Sequence, residues 1–236
     1  MQAPPVVHTC TPSNGYDPPF RRLSSDLAQL IASVSSTSTY RRKAKLFVEG
    51  EKPRGVFILR TGSAKLTTCS TVGKTIVIRL AQACDVLGLN AVFSNQPYGA
   101  TAEMMTSGQV DFLAQEPLLR LMKANEQFAL VVAEQLSAAY YSLHDAVRSL
   151  GLATHPLERL AKLLLSWTTP PDNDIGADDR SFKLPLTHQE IADNIGSTRQ
   201  TVTRLLSELK RKHLVGSESG GLRITNPLAL QRIVHF

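Results

Sequence analysis

The sequence predicts an α+β protein with an N-terminal region of short strands, a long central helix and a C-terminal winged helix-turn-helix. Three observations lead to this fold class. Glycines separate short apolar runs between positions 46 and 112, an apolar stripe at helical spacing follows position 117, and two short helices joined at a glycine precede a β-hairpin. The length of 236 residues allows one large domain or two of modest size.

The strand-rich region is marked by regularly placed glycines. Glycine adopts positive φ angles without steric cost, so it suits the tight turns between strands. The spacing fits a small barrel or roll and a generic β-sandwich equally well. The glycines are Gly50, Gly55, Gly62, Gly73 and Gly88.

Composition limits the class of protein. Hydrophobic residues make up 42% of the chain, as in an ordinary globular protein, and the formal charge of +6 weakly favours polyanionic partners. An odd number of cysteines without a C-x-x-C pair argues against a disulfide framework or zinc site, so we expect reduced thiols at Cys10, Cys69 and Cys84. The segment Met1–Phe20 is polar and lacks a signal-peptide core, and no apolar run reaches membrane-spanning length. A mobile N-terminal arm and a cytoplasmic location are expected.

A regular apolar stripe marks the central helix, which is predicted from Glu126 to Gly151. Its steps alternate three and four residues, as in the seam of a coiled coil. We interpret the stripe as a dimer interface, and the alternative is a core helix within one monomer. The seam residues are Ala129, Val132, Leu136, Ala139, Leu143, Ala146 and Leu150.

The strongest local pattern lies between positions 187 and 211. Thr187 and Glu190 form a predicted capping box, and Gly196 ends the first helix, with Ser197 beginning the next. The second helix has an inner apolar face made of Val202, Leu205, Leu206 and Leu209. Its opposite face carries hydrogen-bonding side chains, as a DNA recognition helix requires, and these are Arg199, Gln200, Thr203, Arg204 and Ser207.

Charge and a hairpin support this interpretation. Residues 197–212 contain five basic side chains and one acid, a local charge of 5 − 1 = +4. Positive charge therefore concentrates where DNA phosphates would be met. A hairpin around Gly220 and Gly221 would form the wing. The alternative is a small helical bundle with a solvated basic face.

Taken together, these motifs resemble the Crp/Fnr family of bacterial transcription regulators, from about Tyr40 to the C-terminus. The resemblance rests on E-G-E-x-x-x-G, R-T-G-S-A-K-L and D-V-L-G-L in the strand region, on the long helix, and on T-x-Q-E-I-A with G-S-T-R-Q-T-V-T-R-L-L. It implies a sensor β-roll (jelly roll) of the cyclic-nucleotide-binding type, a homodimer joined by the long helix, and a palindromic double-stranded DNA site. The implied segments are an arm over 1–20, a sensor β-roll with flanking helices over 21–125, a dimerisation helix and hinge over 126–153, and a winged helix-turn-helix over 154–236.

The resemblance also implies DNA-contacting roles. Arg199 and Arg204 match the family's two base-reading arginines, and Gln200 stands where a cyclic-AMP-binding member has glutamate. With Thr203 they form the predicted base-reading set, although Gln200 is open to a second role in a capping box with Ser197. Positions that contact phosphate in the family are occupied by Thr187, Gln189, Thr198 and Thr201. The acidic segment Pro170–Arg180 lies where activators of the family meet RNA polymerase; the alternative is a solvated connector.

The effector region departs from the cyclic-AMP-binding pattern. Leu89 replaces a ribose-binding glutamate, and Gly99 and Ala100 replace a phosphate-binding arginine and serine. No Lys, Arg or His lies between Leu80 and Leu119, whereas four acids do, so a buried cyclic phosphate lacks its cation. We expect an effector other than cyclic AMP, or constitutive DNA binding without one. The pocket candidates are Gly88, Leu89, Asn90, Tyr98, Gly99, Ala100 and Thr101.

Other chemistries have little support in the sequence. A haem or redox sensor of the same family is a less favoured alternative, with His8, His144 and His155 as the candidate haem ligands. Only Cys10 lies in the arm, so the resemblance implies no iron–sulfur cluster. No metal site is expected. The chain has no G-x-S-x-G, no P-loop and no paired carboxylates in a convincing site, which argues against an enzyme.

Overall fold

The computed structural model describes residues 19–69, 75–152, 155–166, 180–182, 186–218 and 221–234. These residues form two compact units, which divide between Leu143 and His144 inside the central helix. Among the described residues, no helix has both the length and the apolar character that crossing a membrane requires.

The described strands of the first unit form two four-stranded antiparallel sheets. One has the strand order β1-β8-β3-β6 and the other β2-β7-β4-β5. This is the predicted β-roll, so the generic sandwich can be set aside. The strands are β1 (Ser36–Tyr40), β2 (Lys45–Phe47), β3 (Gly55–Leu59), β4 (Ala64–Cys69), β5 (Thr75–Ala81), β6 (Val86–Leu87), β7 (Thr101–Met104) and β8 (Gly108–Ala114).

Strand β3 shows how the unit is layered, because all five of its residues are buried. Side chains alternate between the two faces of a strand. Phe57 and Leu59 belong to a core that includes residues of both sheets. Val56 and Ile58 belong to a second core, which the helices complete. The roll is therefore packed on both faces of this sheet.

The helices of the second core precede, interrupt and follow the strands of the roll. Their bounds are η1 (Pro19–Arg22, a 3₁₀ turn), α1 (Ser25–Val34), α2 (Leu89–Ser94), α3 (Gln115–Ala124) and α4 (Glu126–Leu152). Helix α4 starts after Asn125, whose side-chain oxygen accepts a hydrogen bond from the Phe128 amide at 2.9 Å. Its 27 residues give a length of about 40 Å. It extends from the first unit into the second.

The predicted arm over residues 1–20 overlaps the first described residues, Pro19 and Phe20. Residues 1–18 lie outside the described residues, but Phe20 is buried in η1. Its ring packs edge-on against Phe128 of α4, with the ring centroids 6.1 Å apart. The polar composition of residues 1–20 gave no sign of this contact, because it depends on a single aromatic residue.

The second unit is a winged helix-turn-helix. Its elements are α5 (Pro156–Ser166), β9 (Arg180–Phe182), α6 (His188–Asn194), α7 (Arg199–Arg211), β10 (Val215–Glu218), β11 (Gly221–Ile224) and α8 (Pro227–Val234). The predicted hairpin is β10-β11, and β9 adds a third antiparallel strand to it. The sequence indicated neither β9 nor α8.

The cysteines differ from the expectation of three reduced, inert thiols. Cys84 is buried and disulfide-bonded. Cys69 lies on the surface at the end of β4 and is not in a disulfide. The expectation is therefore wrong for the redox state of Cys84.

Candidate DNA interface and effector region

Helix α6 begins at the predicted capping box. The Thr187 hydroxyl oxygen accepts a hydrogen bond from the Glu190 amide at 3.2 Å, and the Glu190 carboxylate accepts one from the Thr187 amide at 2.8 Å. Gly196 follows the helix with a φ of +60°, a conformation that favours glycine. This residue turns the chain toward α7, so the two helices form the predicted helix-turn-helix.

Helix α7 is not capped by Ser197, the residue that one of the two alternatives for Gln200 required. The capping residue is Thr198, whose hydroxyl oxygen accepts a hydrogen bond from the Thr201 amide at 3.2 Å. The two threonine hydroxyls also lie 2.9 Å apart. The residue three positions after the cap is thus Thr201, and Gln200 does not close a capping box with Ser197. Its side chain is left on the exposed face of the helix.

The two faces of α7 divide as the sequence predicts. The four apolar residues of the inner face are all buried, and they are Val202, Leu205, Leu206 and Leu209. The side chains of the opposite face are all exposed, and they are Arg199, Gln200, Thr203, Arg204 and Ser207. The second set, which we call the outer face, presents two guanidinium groups and an amide to solvent.

A side chain from α6 reaches the outer face, and the sequence interpretation missed it. The Nδ1 atom of His188 lies 2.9 Å from the Thr203 hydroxyl oxygen. The Thr203 hydroxyl also donates a hydrogen bond to the Arg199 carbonyl at 3.0 Å. No local pattern could have shown this contact, because it joins residues 15 positions apart across the turn.

The residues assigned to phosphate contact lie at the starts of α6 and α7. Thr187, Gln189 and Thr198 are exposed, and Thr201 is half-buried. The side-chain nitrogen Nε2 of Gln189 donates a hydrogen bond to the Asp193 carboxylate at 2.8 Å. The first amides of a helix carry partial positive charge, and α7 is long enough for this to favour a nearby anion.

The only acid in the basic segment 197–212 is paired within its own helix. The Lys212 ammonium lies 2.7 Å from the Glu208 carboxylate, one helical turn away. This hydrogen bond holds the pKa of Glu208 below its ordinary value of 4.5. The acid is thus tied to Lys212 at the end of α7, beyond the arginines of the outer face.

A cleft of about 470 Å³ flanks α7 within the second unit. Helix α5 supplies one wall and α7 another, and the lining residues are His155, Pro156, Leu157, Glu158, Thr201, Arg204, Leu205 and Ile233. Of the candidate haem ligands, His155 lines this cleft, His144 is exposed on α4, and His8 lies outside the described residues. No cluster of three His, Cys, Asp or Glu side chains in the described ranges could hold a metal ion.

Among the effector candidates, Tyr98 makes contacts with three segments of the roll, at Phe47, Gly55 and Gly88. Its ring stacks on Phe47 with the centroids 4.1 Å apart, and its hydroxyl donates a hydrogen bond to the Gly55 carbonyl at 2.7 Å. A Cβ atom at Gly88, where φ is +89°, would lie 2.9 Å from this ring. Burial raises the pKa of the Tyr98 phenol above 10.0.

The other candidates divide between core and surface. Leu89 is buried in the core shared with α4, and Ala100 is also buried. Asn90 and Gly99 are exposed. The Thr101 hydroxyl oxygen accepts a hydrogen bond from the Glu49 amide at 3.0 Å. Three of the candidates, Leu89, Tyr98 and Ala100, are therefore buried, whereas two lie on the surface.

The acids of this region are paired with cations from outside the sequence window. Asp85 binds Arg79 at 2.7 Å, Glu103 binds Lys65 at 3.3 Å, Glu116 binds Arg120 at 2.5 Å, and Asp111 binds Arg60. The expected excess of negative charge is thus offset by neighbours in the fold. The cations themselves are engaged by these carboxylates.

The predicted seam residues of α4 have different surroundings. Val132 has no exposed surface and packs in the core of its own first unit, so it has none left for a second helix. Ala129, Leu136 and Ala139 are half-buried, and Leu143 is 50% exposed. The side chains of Ala146 and Leu150 lie outside the described residues.

An exposed apolar stripe nevertheless follows α4, slightly rotated from the predicted seam. We define it by Leu136, Tyr140, Leu143 and Val147, which span about 60° of the helix circumference. The last three are each at least half exposed. The dimer seam stays a prediction, but the roll already covers Val132, which sequence spacing could not show.

Of the acidic segment that the sequence associates with RNA polymerase, the structure describes only Arg180. Its four aspartates, at positions 172, 174, 178 and 179, lie outside the described residues. Contact with RNA polymerase therefore stays a prediction.

Two family models match the chain. A cyclic nucleotide-binding domain matches residues 37–125, and a Crp-like helix-turn-helix domain matches residues 158–233. Together they cover more than half of the chain. The first lies on the β-roll and the second on the winged helix-turn-helix.

Known proteins resemble the chain over most of its length. A global nitrogen regulator from Synechocystis sp. is 26% identical over 218 residues, or 90% of this chain and 92% of the relative. An anaerobic regulatory protein from Bacillus subtilis is 23% identical over 84% of this chain and 83% of its own. The structure of FixK2 from Bradyrhizobium japonicum has a TM-score of 0.73 at 22% identity, covering 85% of this chain and 97% of that one. At this identity the structural likeness concerns the fold.

Proposed function

The chain belongs to the Crp/Fnr family of transcription regulators, and from this premise we propose that it acts in the cytoplasm as a homodimer on a palindromic double-stranded DNA site. It is a regulator with a DNA-binding helix-turn-helix and not an enzyme. The outer face of α7 is the observation that carries the proposal, because it presents Arg199, Gln200 and Arg204 to solvent above a fully buried inner face. Arginine suits guanine O6 and N7, and glutamine suits adenine N6 and N7.

Selection of bound DNA from a random pool tests this function directly. We expect a palindrome whose half-sites lie about one helical turn, or 34–36 Å, apart, because two recognition helices must enter successive major grooves. Failure to enrich any sequence, from a protein that is folded, would contradict the proposal.

Arg199→Ala and Arg204→Ala are each expected to weaken binding to the selected operator by about 1–3 kcal/mol and to relax preference at one guanine. The reason is the loss of a bidentate contact with a base edge. Fluorescence anisotropy with operators carrying single base changes measures both effects. Lys210→Ala is the matched control: at the far end of α7 it should weaken all sequences alike. Unchanged base preference in both arginine variants would remove these residues from the base-reading set.

The dimer is proposed to form along the exposed stripe of α4. Such a row of large apolar side chains in contact with water is unfavourable on a single protomer. Pairing with the same stripe of a second copy would bury it, as the two-fold symmetry of a palindromic site requires.

We propose that the effector is not cyclic AMP. Leu89 and Ala100 are buried among apolar groups, and the cations nearest to this region in the sequence, Arg79 and Arg120, are paired with Asp85 and Glu116. A buried cyclic phosphate needs a cation or several oriented donors.

Calorimetry is expected to show no heat of binding for cyclic AMP or cyclic GMP up to about millimolar concentration, because each missing charge-assisted pair costs about 1.5–3 kcal/mol. Operator affinity should likewise not change with either nucleotide. A micromolar dissociation constant together with tighter operator binding would overturn this prediction.

The second candidate is a constitutive DNA binder without an effector. The packing of Tyr98 against Phe47 and Gly55 favours it, because these contacts bury this effector candidate in the core of the roll. Titration of labelled operator with and without cell extract separates the two candidates. A shift in affinity with extract supports an effector, and identical curves support constitutive binding.

RNA polymerase is proposed as a further partner, on the basis of the acidic segment and the family alone. The proposed contact surface is assigned to residues 170–180 because of their position in the sequence.

A further inference from the structure

The Thr203 hydroxyl on the outer face of α7 is held by two groups of the protein. It donates a hydrogen bond to the Arg199 carbonyl at 3.0 Å, one helical turn earlier. It also lies 2.9 Å from Nδ1 of His188, which projects from the first turn of α6. Both side chains are exposed on the surface that is proposed to meet DNA.

Counting protons decides what each group does. A threonine hydroxyl has one hydrogen to donate and two lone pairs that accept. With a proton on Nδ1, His188 donates to the hydroxyl, whose hydrogen goes to the Arg199 carbonyl. Without that proton, Nδ1 itself accepts the hydroxyl hydrogen. In either tautomer the hydroxyl has no hydrogen left for a guanine or thymine oxygen.

These contacts also restrict the rotation of the side chain. A threonine in a helix has few χ1 rotamers, and the bond to the carbonyl four residues earlier selects among them. The bond from His188 holds the same oxygen from the other side. These hydrogen bonds occupy the hydroxyl group, and the methyl group is the part of the Thr203 side chain that they leave available for contact.

We propose that Thr203 reads a thymine through its methyl group, and that His188 is the positioning residue that holds the hydroxyl away from the base. The inference rests on the proposed DNA binding. Apolar contact with the C5 methyl group is the one major-groove feature by which thymine is recognised without hydrogen bonds. The arginines and Gln200 beside Thr203 supply the polar part of the readout.

The test replaces each thymine of the selected operator in turn with deoxyuridine, which lacks only the C5 methyl group. For the wild-type chain one position in each half-site should lose affinity by about fourfold, the worth of one buried methyl group, and about fifteenfold when both half-sites are changed. Failure of the wild-type chain to select any operator rejects the proposed function itself. Selection of an operator without a uracil-sensitive position rejects only this inference.

Variants then assign the methyl contact to Thr203. Thr203→Ser removes the methyl group and should bind thymine and uracil operators equally, whereas Thr203→Val keeps a methyl group and should still prefer thymine. The ratio of the two affinities is the readout, so a general change in affinity cancels. A thymine preference that survives in Thr203→Ser would show that another residue reads the methyl group.

A separate pair of variants tests His188. His188→Ala frees the hydroxyl and should reduce the thymine-to-uracil ratio toward one. His188→Asn should restore the ratio, because its amide nitrogen can donate from nearly the place of Nδ1. Thermal unfolding by circular dichroism checks that both variants are folded. A wild-type ratio in His188→Ala would show that Thr203 is positioned without it and would overturn that half of the proposal.

Discussion

Leu143→Lys is expected to convert the proposed dimer into monomers. Leu143 lies at the centre of the exposed stripe of α4 and would face its own copy across the two-fold axis. A lysine there would be buried beside a second lysine, and an unpaired buried charge costs several kcal/mol. Sedimentation velocity should show a single species of half the wild-type mass.

Tyr141→Lys is the matched control for this variant. Tyr141 is 69% exposed and lies two residues earlier, about 160° round the helix from Leu143. It introduces the same charge into the same helix on the opposite side, so it should remain dimeric. An intact dimer for Leu143→Lys, or equal dissociation of both variants, would reject the exposed stripe as the interface.

Dissociation should also abolish tight operator binding. A palindromic site is bound by two recognition helices that are held together, and separate protomers lose this linkage. The Leu143→Lys chain is expected to retain only the weak, strongly salt-dependent binding that phosphate contacts supply. Anisotropy titrations at two salt concentrations distinguish this residual binding from unfolding.

Tyr98→Ala is expected to lower the free energy of unfolding of the β-roll by about 3–5 kcal/mol, as for other large aromatic residues removed from a core. The change removes the stack on Phe47, the contact with Gly88 and the hydrogen bond to Gly55 together. Tyr98→Phe should cost only about 1–3 kcal/mol, because the ring remains and one buried carbonyl loses its donor. Hydrogen exchange of the β2 and β3 amides measures both changes within the roll.

The raised pKa of Tyr98 adds a pH dependence with a definite sign. The folded chain holds the phenol proton more tightly than the unfolded chain does. The contribution of the protonated phenol to the free energy of unfolding is therefore fully present below the ordinary pKa of 10.0, and it is lost as the pH rises through the pKa of the folded chain. The stability difference between wild type and Tyr98→Phe should therefore shrink above pH 10. A difference that grows with alkaline pH would contradict the burial of the phenol.

The DNA-binding unit was predictable in most of its detail because its determinants are local. A capping box, a glycine turn and a helix with two faces involve residues no more than a few positions apart. Thr187, Glu190 and the four inner residues of α7 behave as their spacing predicts. The sequence left open whether Ser197 caps α7, since Ser197 and Thr198 are equally suited to the role and only the backbone geometry distinguishes them.

The effector region was harder to predict because its electrostatics depend on pairing between strands. Four acids in a window without cations indicated negative charge, yet each has a basic partner from beyond that window. Strand register decides the pairs Lys65–Glu103 and Arg60–Asp111, and a count along the chain cannot show it. Glu116 pairs instead within its own helix, with an arginine just beyond the window.

The sequence alone determined the order of the two units, the family, and which residues of α7 face outward, because periodicity and caps act within one or two turns of chain. Only the tertiary structure decided that Val132 belongs to the roll, that the exposed stripe of α4 runs through Tyr140 and Val147, and that His188 holds Thr203. Each of these depends on which surface of a helix is already covered by a distant segment. Helical spacing specifies which residues share a face, whereas packing specifies what that face meets.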